Sequence, residues 1–348
     1  MSYYDSVSAN GTSFKLPDGS DFITKTTYTV SQSHGVITLI VASCFSLTAV
    51  IGLLAAIAMS AFNTRHAKSP NMFVRTNIVA FFISLLVADI LQAVGSIMNA
   101  QWVRAQAVEA GTLCTAQGMI KHAADVSIAV WSFIIAVYTF LTLVAKMQLK
   151  RRLIMWCTLL GGWSAVAAIV IAGPATLNRN QYGPYYGISG EWCWITGEYK
   201  VQRIALDYLI MFMSALFSLF LYAVVFYRLR GKILARPPSR IRPTEKERQT
   251  HFDSTLAKQM LLYFAYIITI LPIAVARFTV WSGHDVPFDV TIFCDTIYLL
   301  FGLVNTVLFV TTRRILPPRS VIPKFLISQP ELIETTAAAG NDDPYYAG

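Results

Sequence analysis

Charge is scarce along this chain. Only 14% of its 348 residues are Asp, Glu, Lys or Arg, while 55% are hydrophobic. A soluble domain of this length needs far more charge to cover its surface, so that class is excluded. Histidine is sparse too. His34, His66, His122, His251 and His284 are scattered and form no cluster with carboxylates. There is no His-Glu-x-x-His and no nucleophile elbow, so no metal, cofactor or enzyme activity is expected. Residues 288–311 contain no lysine, which removes the Schiff base that a retinal protein needs. No repeat relates the two halves, as many transporters show. Residues 1–34 lack a short apolar core after a basic start, so the first apolar stretch is expected to act as its own insertion signal.

What the chain has is apolar length. Seven stretches, about 36–61, 73–98, 114–145, 153–173, 204–227, 256–281 and 288–311, each approach or exceed the roughly 20 residues that cross a bilayer core. The fold expected is an all-α membrane protein, a seven-transmembrane helix bundle over 36–311, with tails at 1–35 and 312–348.

Basic residues outnumber acidic ones by 28 to 19, but they are not spread as a nucleic-acid binder would spread them. Twenty of the 28 fall in alternate connections: after stretches one, three and five, and in the C-terminal tail. The positive-inside rule then puts the N-terminus outside and the C-terminus in the cytoplasm. Asn10-Gly11-Thr12, a glycosylation acceptor tripeptide, falls on the outer side in this arrangement. In the C-terminal tail, Pro317-Pro318 opposes a long amphipathic helix, and no cysteine is present for lipidation.

The five cysteines divide by location. Cys44, Cys157 and Cys294 lie in apolar stretches and read as small hydrophobes. Cys114 and Cys193 both fall on the outer side, where disulfides persist. A bridge between them would tether the long connection containing Trp192-Cys193-Trp194; two surface thiols are the alternative.

Ionisable residues inside the stretches are costly unless paired or wetted. They are Asp89, Lys121, Asp125, Asp207, Arg277 and Asp295. All but Asp89 fall in the outer half and outline a polar cavity, with Gln92 and Gln117 at its rim or wall. Lys121 and Asp125, four apart on one helical face, can form an ion pair, so ligand contact and plain structural pairing both remain open. Asp207 and Arg277 lie near the interface, where snorkelling to water is cheap. Asp89 needs a partner, and Asn305 is suitably deep; the pair reads as a switch or as helix glue. Pro272 kinks the sixth stretch and provides a pivot. Trp131, Tyr138, Phe140, Tyr263 and Tyr266 read as packing.

These features resemble a G-protein-coupled receptor. More specifically, Cys114-Thr115-Ala116-Gln117-Gly118 followed by Lys121, Asp125, Trp131 and Ile135-Ala136-Val137-Tyr138-Thr139-Phe140 is similar to the third helix of the cyclic-AMP-receptor-like class, which includes the fungal glucose-sensing receptors. Trp192-Cys193-Trp194, Leu271-Pro272 with Arg277, and Gly302-Leu303-Val304-Asn305 add to the likeness, which spans about 36–315. The chain differs from the rhodopsin-like class, with Val144-Ala145-Lys146 in place of Asp-Arg-Tyr and Asn305-Thr306-Val307-Leu308-Phe309 in place of Asn-Pro-x-x-Tyr.

The resemblance implies a multi-pass plasma-membrane receptor that senses an extracellular small molecule, nutrient-like, sugar-like or cyclic-nucleotide-like. It implies signalling through a heterotrimeric G protein to adenylate cyclase. Gln117, Lys121, Asp125, Asp207, Arg277 and Asp295 are then ligand candidates, and Asp89, Pro272 and Asn305 switch candidates. Lys146, Lys150, Arg151, Arg152, Arg228 and Arg230 fall where the G protein would dock; topology and attraction to anionic lipid also account for them. A transporter or channel without G-protein coupling is the alternative.

Overall fold

The computed structural model describes residues 11–15, 21–63, 77–147, 152–177, 183–234, 268–280 and 282–312. Asn10, Lys150, Arg151, Tyr263 and Tyr266 lie outside them. The helices are α1 Val30–Asn63, α2 Asn77–Ile97, α3 Asn99–Ala105, α4 Thr112–Leu143 and α5 Arg152–Leu177. After them come α6 Lys200–Arg203, a π-helical turn Ile204–Tyr208, and α7 Leu209–Leu234. The last are α8 Ile268–Val280, α9 Phe288–Leu299 and α10 Phe301–Thr312.

Among the described residues, six helical stretches are long and apolar enough to cross a membrane: Val30–Phe62, Asn77–Ala105, Thr112–Leu143, Arg152–Leu177, Gly197–Arg228 and Phe288–Thr311. Ile268–Val280 is apolar but shorter. Their outer faces are apolar as well as much of the interior, unlike a water-soluble bundle. Phe45, Leu160, Leu216, Phe220 and Phe293 face outward, while Asp89, Gln117, His122, Asp207 and Asn305 are buried. Apolar surface that extensive is costly in water and costs nothing in lipid.

α1 begins six residues before the apolar run that marks it in the sequence. Its start is a capping box: Gln32 N–H donates to Thr29 Oγ1 at 3.3 Å, and Thr29 N–H donates to Gln32 Oε1 at 2.8 Å. Just upstream, the N-terminal segment is not simply a tail. Strands β1 Gly11–Lys15 and β2 Asp21–Thr27 pair antiparallel, and β2 also pairs with β3 Ala107–Glu109 between α3 and α4. Lys25 opposes Glu109 in that register and forms an exposed ion pair at 2.7 Å.

The connection before α6 folds into a second hairpin, β4 Tyr186–Ile188 against β5 Cys193–Ile195. Gly190 takes φ 77° at its tip, where a side chain would be strained. Cys193 is disulfide-bonded to Cys114 at the start of α4, with 5.2 Å between Cα atoms, so the expected bridge is present. It pins the hairpin across the mouth of the bundle.

Two breaks in helical hydrogen bonding are repaired by one pair of side chains. Pro174 in α5 has no N–H, which frees the carbonyl four residues back, at Val170. Tyr186 Oη donates to that carbonyl at 2.9 Å. The π-helical turn likewise presents the Leu206 carbonyl, which accepts from His122 Nε2 at 3.0 Å. His122 Nδ1 and Tyr186 Oη are 2.9 Å apart. With Nε2–H given to Leu206, Nδ1 is an acceptor, and the one Tyr186 hydroxyl proton serves either it or the Val170 carbonyl, which brings α5, β4, α4 and the π turn together at these two side chains.

Deeper in the bundle, Asn305 Nδ2 donates to Asp89 Oδ2 at 3.0 Å and joins α10 to α2. Gly302 lets α10 approach α1 closely at the same level. A Cβ there would lie 2.6 Å from Ser46 Oγ and 2.9 Å from Val50 Cγ2. Trp131 is fully buried against Phe81 and Trp163, as a packing residue.

Candidate functional site

Below the pinned hairpin lies a cavity of about 740 Å³, counting the part that opens to solvent. Lys121 and Asp125 reach it from α4, Asp207 and Tyr208 from the π turn, Arg277 from α8, and Asp295 and Tyr298 from α9. Trp192 and Trp194 of the hairpin cover it, and Leu39 and Gln92 complete one wall. Met211, Phe212, Ile270, Ile273 and Ala274 supply an apolar lining. Five of the six ligand candidates from the sequence thus share one space.

The exception is Gln117. It is fully buried, and both ends of its amide are used twice. Oε1 accepts from Trp102 Nε1 at 2.8 Å and from the Cys193 backbone N–H at 3.1 Å. Nε2 donates to the Gly95 carbonyl at 3.0 Å and to Asn99 Oδ1 at 2.6 Å. An amide has two donors and room for two acceptor bonds, so nothing remains for a ligand. Gln117 is a scaffold node, whereas Gln92 does line the cavity.

The charged groups differ in how they are satisfied. Arg277 Nη2 and Asp295 Oδ2 pair at 3.5 Å, with side chains 27% and 13% exposed, so Arg277 points inward rather than snorkelling. Tyr298 Oη donates to Asp125 Oδ1 at 2.9 Å. Lys121 and Asp125 do not form the direct ion pair that their spacing allows; Lys121 Nζ instead sits 4.5 Å from the centroid of the Trp192 ring. Cation–π attraction of this kind contributes about 0.5–2 kcal/mol and supplies no hydrogen-bond acceptor. Asp207 is fully buried, and neither carboxylate oxygen accepts a hydrogen bond among the described residues. Asp207 is thus enclosed by protein and is not open to water at the surface of the bundle. The π turn is the local cause, since one extra residue in the turn re-aims the side chains that follow.

The hairpin is tied down at its tip as well as by its disulfide. Tyr28 Oη donates to the Glu191 carbonyl at 2.5 Å, and Gln32 Nε2 donates to Glu191 Oε1 at 3.2 Å. Burial, more than the partners around it, raises the Glu191 carboxyl above its ordinary value. Burial followed by the Glu191 charge raises the Tyr28 phenol. Arg203 lies over Trp194 at 4.9 Å and donates to Ser189 Oγ at 3.0 Å and to the Ile195 carbonyl.

Asp89 and Asn305 lie apart from the cavity lining, and Pro272 lies within α8 beside the lining residues Ile270 and Ile273. Lys146, Arg152 and Arg228 are exposed, at the end of α4, the start of α5 and on α7; Arg230 is on α7 also. α4 and α7 run the same way, so these positions gather at the end of the bundle opposite the hairpin.

Sequence reasoning did not single out Tyr208, Phe212 or Tyr298. Tyr298 was within reach, since it lies three residues after Asp295 on one helical face. Tyr208 adjoins Asp207, but only the π turn brings both to the cavity. Comparison of the chain with models of known protein families finds no match, and comparison with curated proteins finds none either.

Proposed function

We propose that this chain is a plasma-membrane receptor of the cyclic-AMP-receptor-like class, with seven crossings, an outside N-terminus and a cytoplasmic C-terminus. An extracellular small molecule, a nutrient or a cyclic nucleotide by resemblance, occupies the cavity. Occupancy favours one arrangement of the bundle, and a heterotrimeric G protein reads that arrangement at the opposite end and passes it to adenylate cyclase.

The observation that carries this reading is the convergence of five charged side chains from four helical segments beneath a doubly anchored hairpin. Intramembrane charges are expensive, and a bundle held only by packing has no need of so many in one space. The basic positions at the far end support the orientation and provide a surface for an acidic or anionic partner. Ligand binding can act on the bundle only by differing in affinity between its states. The Arg277–Asp295 pair joins α8 to α9 at the cavity and is a contact that a polar ligand would compete for.

Two measurements test the proposal. Epitope tags at the two ends, read in intact and permeabilised cells, are expected to report opposite compartments; the same compartment for both removes the receptor reading. In reconstituted vesicles, a ligand found by a cyclic-AMP screen is expected to accelerate nucleotide exchange on a heterotrimeric G protein. Movement of labelled solute with no effect on any G protein would point to a transporter instead.

A further inference from the structure

Two of the five cavity charges make neither a salt bridge nor a hydrogen bond among the described residues. Arg277 is paired with Asp295, and Asp125 is hydrogen-bonded by Tyr298. Lys121 lies against the face of Trp192 with the charges of Asp295 and Asp125 nearby but not in direct contact, and both oxygens of fully buried Asp207 accept no hydrogen bond among the described residues. Burying an uncompensated charge is costly, and a ligand that neutralises it recovers that cost on binding. The missing direct partners are therefore a hydrogen-bond acceptor for Lys121, best an anion, and a donor for Asp207, best a cation.

We infer that the cavity takes a small zwitterion of the amino-acid type, its ammonium held by Asp207 and its carboxylate by Lys121. The surroundings of Asp207 suit an ammonium. Tyr208 and Trp194, with ring centroids 5.5 Å apart, also line the cavity; Trp194 already holds the Arg203 guanidinium at 4.9 Å, so the π face offered to a second cation is that of Tyr208. Met211 and Ile273 give the body of the ligand an apolar wall. A simple amine would leave Lys121 without an acceptor, and a simple acid would leave Asp207 without a donor. A neutral sugar would hydrogen-bond to both groups and neutralise neither.

This assignment rests on the cavity being a ligand site, as proposed above, but not on what the receptor couples to. The test uses the full chain in lipid nanodiscs and reads its melting temperature. The probes are the individual L-amino acids, each beside its decarboxylated amine and its deaminated acid, together with glucose and cyclic AMP. At least one amino acid is expected to raise the melting temperature in a saturable way, with the matching amine and acid at least ten-fold weaker. Asp207→Asn and Lys121→Met are each expected to melt cooperatively without ligand and to weaken that amino acid at least ten-fold. Neither substitution introduces a new buried charge, so both are expected to fold. No shift with any amino acid, a shift with glucose or cyclic AMP alone, or amino-acid binding unchanged in both variants would each overturn the assignment. Amino-acid binding that is lost in both variants, yet never accelerates nucleotide exchange, would refute the G-protein coupling and uphold the zwitterion.

Discussion

Gln117→Met tests whether the outer half of the bundle is assembled around one amide. Methionine keeps nearly the same length and volume, so the change isolates polar contacts from packing. Four hydrogen bonds of 2.6–3.1 Å are lost at once, joining α2, α3, α4 and the hairpin. At a net 0.5–1.5 kcal/mol each they contribute roughly 2–6 kcal/mol. The Trp102 indole N–H, the Cys193 amide and Asn99 Oδ1 also lose a partner while buried, which holds the loss toward the upper part of that range. A loss of about 4 kcal/mol lowers the melting temperature by on the order of 10 °C. Differential scanning fluorimetry of the detergent-solubilised chain measures this directly. Trp102→Phe removes one of the four bonds and is expected to cost about a quarter as much. Since the two residues touch, the double variant should cost less than the sum of the singles. A Gln117→Met protein that melts within about 2 °C of wild type but has lost its ligand response would refute the scaffold assignment and make Gln117 a ligand contact.

Cys114→Ser opens a loop of 79 residues; chain entropy sets a ceiling near 4–5 kcal/mol, and membrane insertion of the unfolded helices should bring the loss toward about 2. Loss of surface expression or a melting temperature insensitive to reductant checks it, and normal trafficking with wild-type stability would dismiss the tether. Tyr186→Phe strips the Val170 carbonyl of its donor and breaks the link to His122, with an expected loss of about 2 kcal/mol in thermal unfolding. An unchanged melt would mean that the proline-freed carbonyl is satisfied in another way. Because the Glu191 carboxyl is raised above its ordinary 4.5, the folded chain holds that proton to higher pH than the unfolded one. Its contribution is full below pH 4.5 and is lost as the pH rises through the raised value, so Glu191→Gln should flatten that slope in a pH series of melts. Gly302→Val drives methyl groups into Ser46 and Val50 and pushes α10 off α1; overpacking of this kind costs about 1–3 kcal/mol, and a variant as stable as wild type would show that the helices are not in close contact.

Much of this architecture is legible in the sequence, and the reasons differ by element. The apolar runs marked the helices because lipid demands internal backbone hydrogen bonding over a fixed length. The disulfide was legible because two cysteines fell on the side where such bonds persist. The start of α1 was also written in the chain, as Thr29-Val30-Ser31-Gln32, but hydropathy alone overlooks a cap that is polar. The three-stranded sheet was hidden for a different reason. Its third strand, Ala107–Glu109, is only three residues long, and pairing between segments 80 residues apart leaves no local periodicity. The π turn was equally silent, because a single inserted residue changes no composition; it nonetheless decides that Asp207 faces the cavity. Gln117 and Gln92 looked alike in the sequence. Only the position of α3, which brings Asn99 and Trp102 alongside Gln117, makes one a node and leaves the other on the cavity wall.

The distribution of these ties bears on how a signal could travel. The hairpin cannot easily yield: a disulfide holds it to α4, Gln117 holds its backbone, and Tyr28 and Gln32 hold its tip. α4, α5 and the π turn are likewise joined through Tyr186 and His122. α8 is attached in another manner. It contacts the cavity through Ile270, Ile273 and Ala274, which are apolar and can slide, and through Arg277, whose bond to Asp295 is long at 3.5 Å. Interactions without strict directionality resist displacement less than a network of short hydrogen bonds. A ligand that competes for Asp295 or Arg277 would act on the contact between α8 and α9, and Pro272 interrupts the backbone hydrogen bonding of α8. α9 carries the other half of the same pair, and beyond its break at Leu300 the chain continues into Gly302 and Asn305, in contact with Asp89. The cavity and the buried Asp89–Asn305 pair are thus two ends of one helical connection. A change in how Asp295 is held has a physical route to the interior that does not require the pinned hairpin to move.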